Sequence, residues 1–252
     1  GLALYVAATE IRVLAAQGRF SAAESKAARA WATLRSGLDL NLDHCLTLLR
    51  TELDLERLQG RPCTDLARAT WFLARTAGDD LYAALATVDL YHSVDPDLRE
   101  TWQVELDQAC QKFERVRRLC HEINGHETTL SSSARSIRQC QLTKEFKYNP
   151  DEMLSFREVV ILHHGIHIDL DNLKVSVLGT TEQIRRALLA VAQGAVTKET
   201  FFKAVWGEQK FAPDLHDDVI RSLLHRIRRT GFPSLTTRRG KIEAPGLFVV
   251  SR

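Results

Sequence analysis

Residues 219–241 read VIRSLLHRIRRTGFPSLTTRRGK, and this stretch decides how the carboxy-terminal third of the chain is understood. Seven Arg or Lys residues fall between Arg221 and Lys241 with no Asp or Glu among them, so any phosphate facing this segment meets one sign of charge. Ile220, Leu223, Leu224 and Ile227 recur at three- and four-residue spacing, which predicts a helix whose apolar side chains gather on one stripe. Ser222, His225 and Arg229 then lie nearly opposite, flanked by Arg221 and Arg226. Beyond the helix, Leu235 to Thr237 and Leu247 to Val250 are suited to pair as strands, leaving Arg238 to Gly246 as the turn, with Arg238, Arg239 and Lys241 on it.

Working upstream, the stretches REVVIL, GIHIDL and LKVSVL between Phe156 and Leu178 predict three short strands, the first two joined at Gly165 and the last two at Asp171-Asn172. Thr180 or Thr181 is placed to cap the next helix, with Glu182 near its amide end and Ile184, Leu188, Leu189 and Val191 on its buried side. Thr197 caps a second helix over Lys198 to Trp206, and Gly207 stops it. After the loop EQKFAP, Asp214 or Asp217 begins the third helix.

Strands, three helices and a basic hairpin in this order resemble the OmpR/PhoB-type winged-helix DNA-binding domain of bacterial transcriptional regulators. The matching segments are TTEQIRRALLAVAQGAVTKETFFKAVWG, VIRSLLHRIRR and the turn beginning TTRRG, and the match covers Gly165 to Val250. The resemblance implies a third helix in the major groove of double-stranded DNA, carrying Arg221, Ser222, His225, Arg226 and Arg229, and a wing carrying Arg238, Arg239 and Lys241 near the minor groove. It also implies that Glu208 to Pro213 corresponds to a segment that contacts RNA polymerase. The chain departs from the family at Leu247, where an aromatic is usual, and over Lys241 to Pro245, which lengthen the hairpin. No receiver-domain organisation precedes it, so phosphorylation is not the expected switch.

From Leu2 to Ile123 the apolar residues keep helical periodicity, predicting helices over 2–17, 21–36, 41–59, 64–78, 80–92 and 97–123, antiparallel where the connections are short. Leu14, Gly18-Arg19-Phe20, Ala23 and Ala30 resemble a tetratricopeptide repeat, in which small residues permit close helix contact and an aromatic fills the turn. Leu58, Gly60-Arg61-Pro62 and Ala67 repeat the pattern with Pro62 in place of the aromatic; the two glycines are 42 residues apart, against a standard period of about 34. A stacked array of this kind implies a surface for a peptide or protein ligand, or for a homodimer; a purely supporting bundle is the alternative. Lys112, Arg115, Arg117 and Arg118 on the last helix read as a solvated face. Asn124 to Ser136, with Gly125 and Ser131-Ser132-Ser133, reads as a linker or loop.

The expected organisation is therefore mainly α with a small α+β domain. A tetratricopeptide-like helical module over 1–123 and a linker or bridging segment over 124–155 precede a winged helix-turn-helix domain over 156–252. The net charge of +2 does not by itself mark a nucleic-acid binder; local sign does. Cys45, Cys63, Cys110, Cys120 and Cys140 lack a CxxC pair, which favours reduced thiols in a cytoplasmic protein and disfavours a structural zinc. The opening GLALYVAATEIRVLAA is too short and too charged for a membrane span or signal peptide, and a residue 1 that is Gly allows a preceding domain.

For chemistry, His163, His164 and His167 near Asp169 and Asp171 offer the best material, as metal ligands in a turn or across one strand face, but they read more naturally as strand residues. There is no P-loop, dinucleotide fingerprint or HExxH, and Asp79-Asp80 reads as a helix cap. No enzyme, cofactor or metal is expected. The sequence thus predicts a sequence-specific DNA-binding regulator; the alternative is a non-catalytic adaptor whose winged helix no longer reads DNA.

Overall fold

Alanine and leucine dominate the first hundred residues, and there the chain forms helix after helix across short turns. The computed structural model describes residues 2–37, 40–61, 63–124, 148–179, 181–192, 194–207, 210–230, 232 and 235–251. The architecture is mainly α with a small α+β region, divided into two units, Gly1–Ser155 and Phe156–Arg252.

The first unit contains α1 (Leu2–Ala16), α2 (Phe20–Ser36), α3 (Leu42–Leu58), α4 (Thr64–Ala77) and α5 (Asp80–Ser93), each packed on the next. Gly18 turns α1 into α2 at a φ of +73°, and Ala23, Ala27 and Ala30 are buried, so the helices approach through small side chains. Asn41 and Asp79 cap α3 and α5 by accepting from the amides of His44 and Tyr82, which bears out the capping role read for Asp79. Pro62, the residue that stands in for an aromatic in the second repeat-like unit, lies outside the described residues.

Inside this unit α3 carries charge into the interior. Arg50 and Arg57 are buried with Asp54 between them, and all three meet Asp89 of α5 or Arg12 of α1. Arg57 bonds Asp54 and, at 2.9 Å, Asp89. Burial alone opposes ionisation of Asp54, but Arg50, Arg57 and Arg12 outweigh it and hold the carboxyl below its usual range. Desolvation pulls Arg50 below the ordinary arginine value, whereas for Arg57 the two aspartates overcome burial and raise it.

The long helix expected over 97–123 is broken. A short 3₁₀ turn (Pro96–Leu98) leads into α6 (Arg99–Lys112), Phe113 adopts extended backbone (φ −127°, ψ 114°), and α7 (Glu114–Asn124) comes next. Leu106 and Ala109 of α6 and Val116 of α7 share one cluster with Ala84, Leu85 and Val88 of α5, and Phe113 packs against it. Folding the chain at Phe113 lets both segments bury apolar residues on the same neighbour, which one straight rod does not achieve. Three of the basic residues of this region are engaged locally, Lys112 by Asp80, and Arg117 and Arg118 by Glu114.

Of the segment expected to link the domains, 125–147 lies outside the described residues, including Gly125 and the serine run. Its described remainder, Asn124 at the end of α7 and residues 148–155, belongs to the helical unit. The indole of Trp102 donates to the Tyr148 carbonyl at 3.0 Å, Arg68 lies over the Tyr148 ring, and Asn149 and Glu152 form a reciprocal cap on the turn α8 (Pro150–Met153).

The second unit opens with β1 (Glu158–Ile161), a 3₁₀ turn (Leu162–His164) ending at Gly165, β2 (Ile166–Asp169) and β3 (Lys174–Val177), antiparallel in sequence. Three helices succeed them: α9 (Glu182–Ala192), α10 (Lys198–Trp206) and α11 (Pro213–Arg229), with β4 (Val196–Thr197) between the first two. Thr181 accepts from the Ile184 amide and Thr197 from that of Thr200, as expected for caps; Thr180 lies outside the described residues. The third helix starts at Pro213, earlier than either aspartate. Proline suits the first helical position because its missing N–H costs nothing there.

The last strands pair differently from expectation. β5 (Thr236–Arg238) pairs with β6 (Lys241–Glu243), and β6 pairs with β4, forming a three-stranded sheet. β7 (Leu247–Val250) instead joins the first sheet, parallel to β1, in the order β3-β2-β1-β7. All four residues of β7 are buried, and such a run is more stable in the core than in an exposed hairpin. Gly246 enables the switch: its φ is +77°, its carbonyl accepts from the Arg157 and Glu158 amides, and a Cβ there would lie 3.2 Å from the Arg157 nitrogen.

Candidate nucleic-acid interface

The orientation of α11 is set by four side chains. Ile220, Leu223, Leu224 and Ile227 are all buried in the unit's core with Phe201, Phe202 and Val205 of α10 and Leu188 of α9. A helix turns 100° per residue, so this stripe leaves the opposite side to solvent. Arg221, Ser222, His225, Arg226 and Arg229 are all exposed there. The basic charge is thus positioned by apolar burial on the other side of the same helix.

The hairpin presents the remaining predicted residues. Arg238 and Lys241 are directly paired across β5 and β6, and the two residues between them, Arg239 at φ +51° and Gly240 at φ +76°, form a tight two-residue turn. Arg238, Arg239 and Lys241 are exposed, whereas Ile242 on the same strand is buried. Alternation along β6 therefore anchors the hairpin by its inner face and leaves the cations outward.

Arg228 joins the two elements, and sequence reasoning does not single it out. Its Nε donates to the Leu235 carbonyl at 2.8 Å, tying the end of α11 to the approach to β5. Spacing assigns Arg228 to the helix, but only the folded hairpin supplies its partner. At the other end of α11 the charge reverses. Asp217 pairs with Lys198, Asp218 accepts from Arg221 at 2.9 Å, and Asp214 is exposed in the first turn. These acids suit the positive end of the helix dipole and confine the basic surface to the later turns and the hairpin.

Aromatic contacts hold Phe211 and Ala212, just before α11, against α10. His216 stacks on Phe202 with ring centroids 4.1 Å apart, and its Nδ1 accepts from the Ala212 amide at 2.9 Å. Phe211 packs on Phe202 as well. Glu208 and Gln209 of the loop before α11 lie outside the described residues.

The histidines considered as metal ligands divide between two settings. His163 and His164 occupy the 3₁₀ turn. His167 is buried on β2, with Nε2 3.3 Å from Glu158 and Nδ1 3.3 Å from the Ser176 hydroxyl, its ring against Phe232. Glu158, His167 and Ser176 thus form a polar row across β1, β2 and β3. Asp169 serves the β2–β3 turn: slight burial opposes its ionisation, but hydrogen bonds from Asn172 outweigh this and lower its pKa. Asp171 lies 3.5 Å from Arg157.

Charge is unevenly distributed. Residues 156–252 carry 15 Lys or Arg against 10 Asp or Glu, whereas residues 1–155 carry 19 against 22, so the near-neutral total conceals a basic second unit. On the helical unit a cavity of about 610 Å³ is an open groove along α1 and α2 lined by Tyr5, Val6, Thr9, Val13 and Lys26 among others. Among the described residues no helix is long and apolar enough to cross a membrane. Compared with family models, with curated proteins and with solved structures, the chain finds no match in any of the three.

Proposed function

We propose that this chain is a sequence-specific DNA-binding transcriptional regulator of OmpR/PhoB-like winged-helix type, cytoplasmic and bacterial, with a tetratricopeptide-like helical module in front of the DNA reader. The observation that carries the reading is the division of α11. Its buried stripe leaves Arg221, Ser222, His225, Arg226 and Arg229 exposed, and the hairpin adds Arg238, Arg239 and Lys241. Arginines reach phosphates for affinity and base edges for choice, and Ser222 and His225 add short polar groups between them. The role is one of binding, with no catalysis, cofactor or metal in it.

In this reading the helical unit receives a protein or peptide ligand, or a second copy of the chain, and the loop before α11 is a contact for RNA polymerase. The exposed Tyr5, Val6 and Val13 beside the groove on α1 support an interaction role. Selection of bound duplexes from a random pool, followed by salt titration of the winner, tests the proposal. A recovered consensus whose affinity falls steeply with salt is expected. Binding without sequence preference, or no duplex binding at low salt, would instead favour an adaptor role for the second unit.

A further inference from the structure

No two of the chain's five cysteines are closer than ten residues in sequence, yet α6 and α7 bring one pair into contact. Cys110 and Cys120 Sγ lie 3.4 Å apart. On a continuous helix, residues ten apart are separated by about 15 Å along the axis, so the contact exists only because the chain folds back at Phe113. Both thiols are half-exposed at the edge of the cluster formed by α5, α6 and α7, whereas Cys45 and Cys63 are buried.

We propose that Cys110 and Cys120 are a modification site that closes to a reversible intramolecular disulfide, with a low-molecular-weight disulfide of the glutathione type as co-reactant. The Cys110 thiolate attacks one sulfur of that molecule, forming a mixed disulfide and expelling one small thiolate. Cys120, after losing its proton, attacks the Cys110 sulfur, forms the Cys110–Cys120 bond and expels the second small thiolate. Two protein thiols are oxidised, one small disulfide is reduced to two thiols, and the chain loses two hydrogen atoms. The sulfurs need only approach from contact to a bond of about 2.0 Å.

Burial, and then contact with Cys110 and the charge of Asp107, push the Cys120 thiol up to about 12, so the exchange draws on a small thiolate fraction. Closure is therefore slow near neutrality and accelerates as pH rises. Contact in the folded chain nevertheless favours the internal bond over two separate adducts. The product staples α7 to α6 across the break and fixes the angle that the apolar cluster sets.

The test is to incubate the full chain with excess oxidised glutathione at about pH 7 and at about pH 8.5, block remaining thiols with iodoacetamide, and map tryptic peptides by mass. Cleavage at Arg115, Arg117 and Arg118 separates the two cysteines, so the bond is detected as peptide 100–112 linked to peptide 119–135. That linked pair is expected as the main product, formed at least about tenfold faster at the higher pH and removed by dithiothreitol, with Cys45 and Cys63 still blocked as free thiols. Cys120→Ser should stop at glutathione on Cys110. Glutathione left on either cysteine of the wild type without the linked pair, or linkage of either to Cys140 in its place, would overturn the proposal.

Discussion

Arg226 and Arg229 lie on the exposed side of α11, and neither belongs to the buried stripe. Replacing either with alanine should therefore leave the stability of the chain within about 0.5 kcal/mol of wild type. Duplex affinity should fall, and if the lost contact is to phosphate the slope of log affinity against log salt should decrease by about one. Unchanged affinity across the titration would remove these residues from the interface. Asp54 shows the opposite case, a charge whose value lies inside the fold. Its folded pKa is depressed, so its contribution is complete above the unfolded value of about 3.9 and disappears as pH falls through the folded one. Acid titration should destabilise the helical unit in that window. Asp54→Asn should already cost about 1–3 kcal/mol at neutral pH and show a smaller further loss in acid, measured by denaturant unfolding. Spacing assigns the residues of α3 to a helix, but it does not reveal their burial with Arg12 and Asp89, because both partners come from other helices.

Turns decide where elements go, and two glycines of similar backbone test this. Gly240 and Gly246 both have positive φ, at +76° and +77°, but a Cβ at Gly240 meets nothing within 4 Å whereas one at Gly246 meets Arg157 backbone and side chain. Gly240→Ala should cost about 1–2 kcal/mol. Gly246→Ala should cost about 1–3 kcal/mol more, because it also crowds the point where β7 joins β1. Equal costs in thermal or denaturant unfolding would show that the close approach is relaxed without strain. Most elements of the second unit are legible in the sequence: the β1–β2–β3 meander, the Thr197 cap and the buried face of α11 all arise from short-range periodicity. The pairing of β7 is not. Leu247 to Val250 fit either a returning hairpin strand or a buried parallel one, and only the position of β1, far earlier in the chain, distinguishes them. The helix break at Phe113 escapes for the same reason, since the apolar spacing on either side is helical and the surface that bends it is α5.

Across the whole molecule, if the chain binds DNA as proposed, the charge division between the units predicts that they contribute differently to the affinity. A polypeptide of residues 156–252 should retain salt-dependent duplex binding, with low-salt affinity equal to or greater than that of the full chain because the net acidic first unit is gone. Loss of binding by a fragment that still unfolds cooperatively would show that the first unit is needed to form the reader. If the helical unit mediates self-association or partner capture, the same fragment should lose it, which sedimentation would reveal. The groove beside α1 and α2 is the place to begin a search for that contact, since Tyr5, Val6 and Val13 remain exposed there.

Local order was set by the amino-acid sequence alone: which segments are helical, which alternate as strands, where Thr and Asp cap, and which face of α11 is apolar. These depend on neighbours one to four residues away, and periodicity records them directly. Tertiary structure decided what meets across long separations: the sheet that takes β7, the aspartates that neutralise Arg50 and Arg57, the carbonyl that holds Arg228, and the approach of Cys110 to Cys120. Each is a choice among several partners of equal chemical suitability. Burial of distant apolar surface makes that choice, because it sets which of those partners comes within reach.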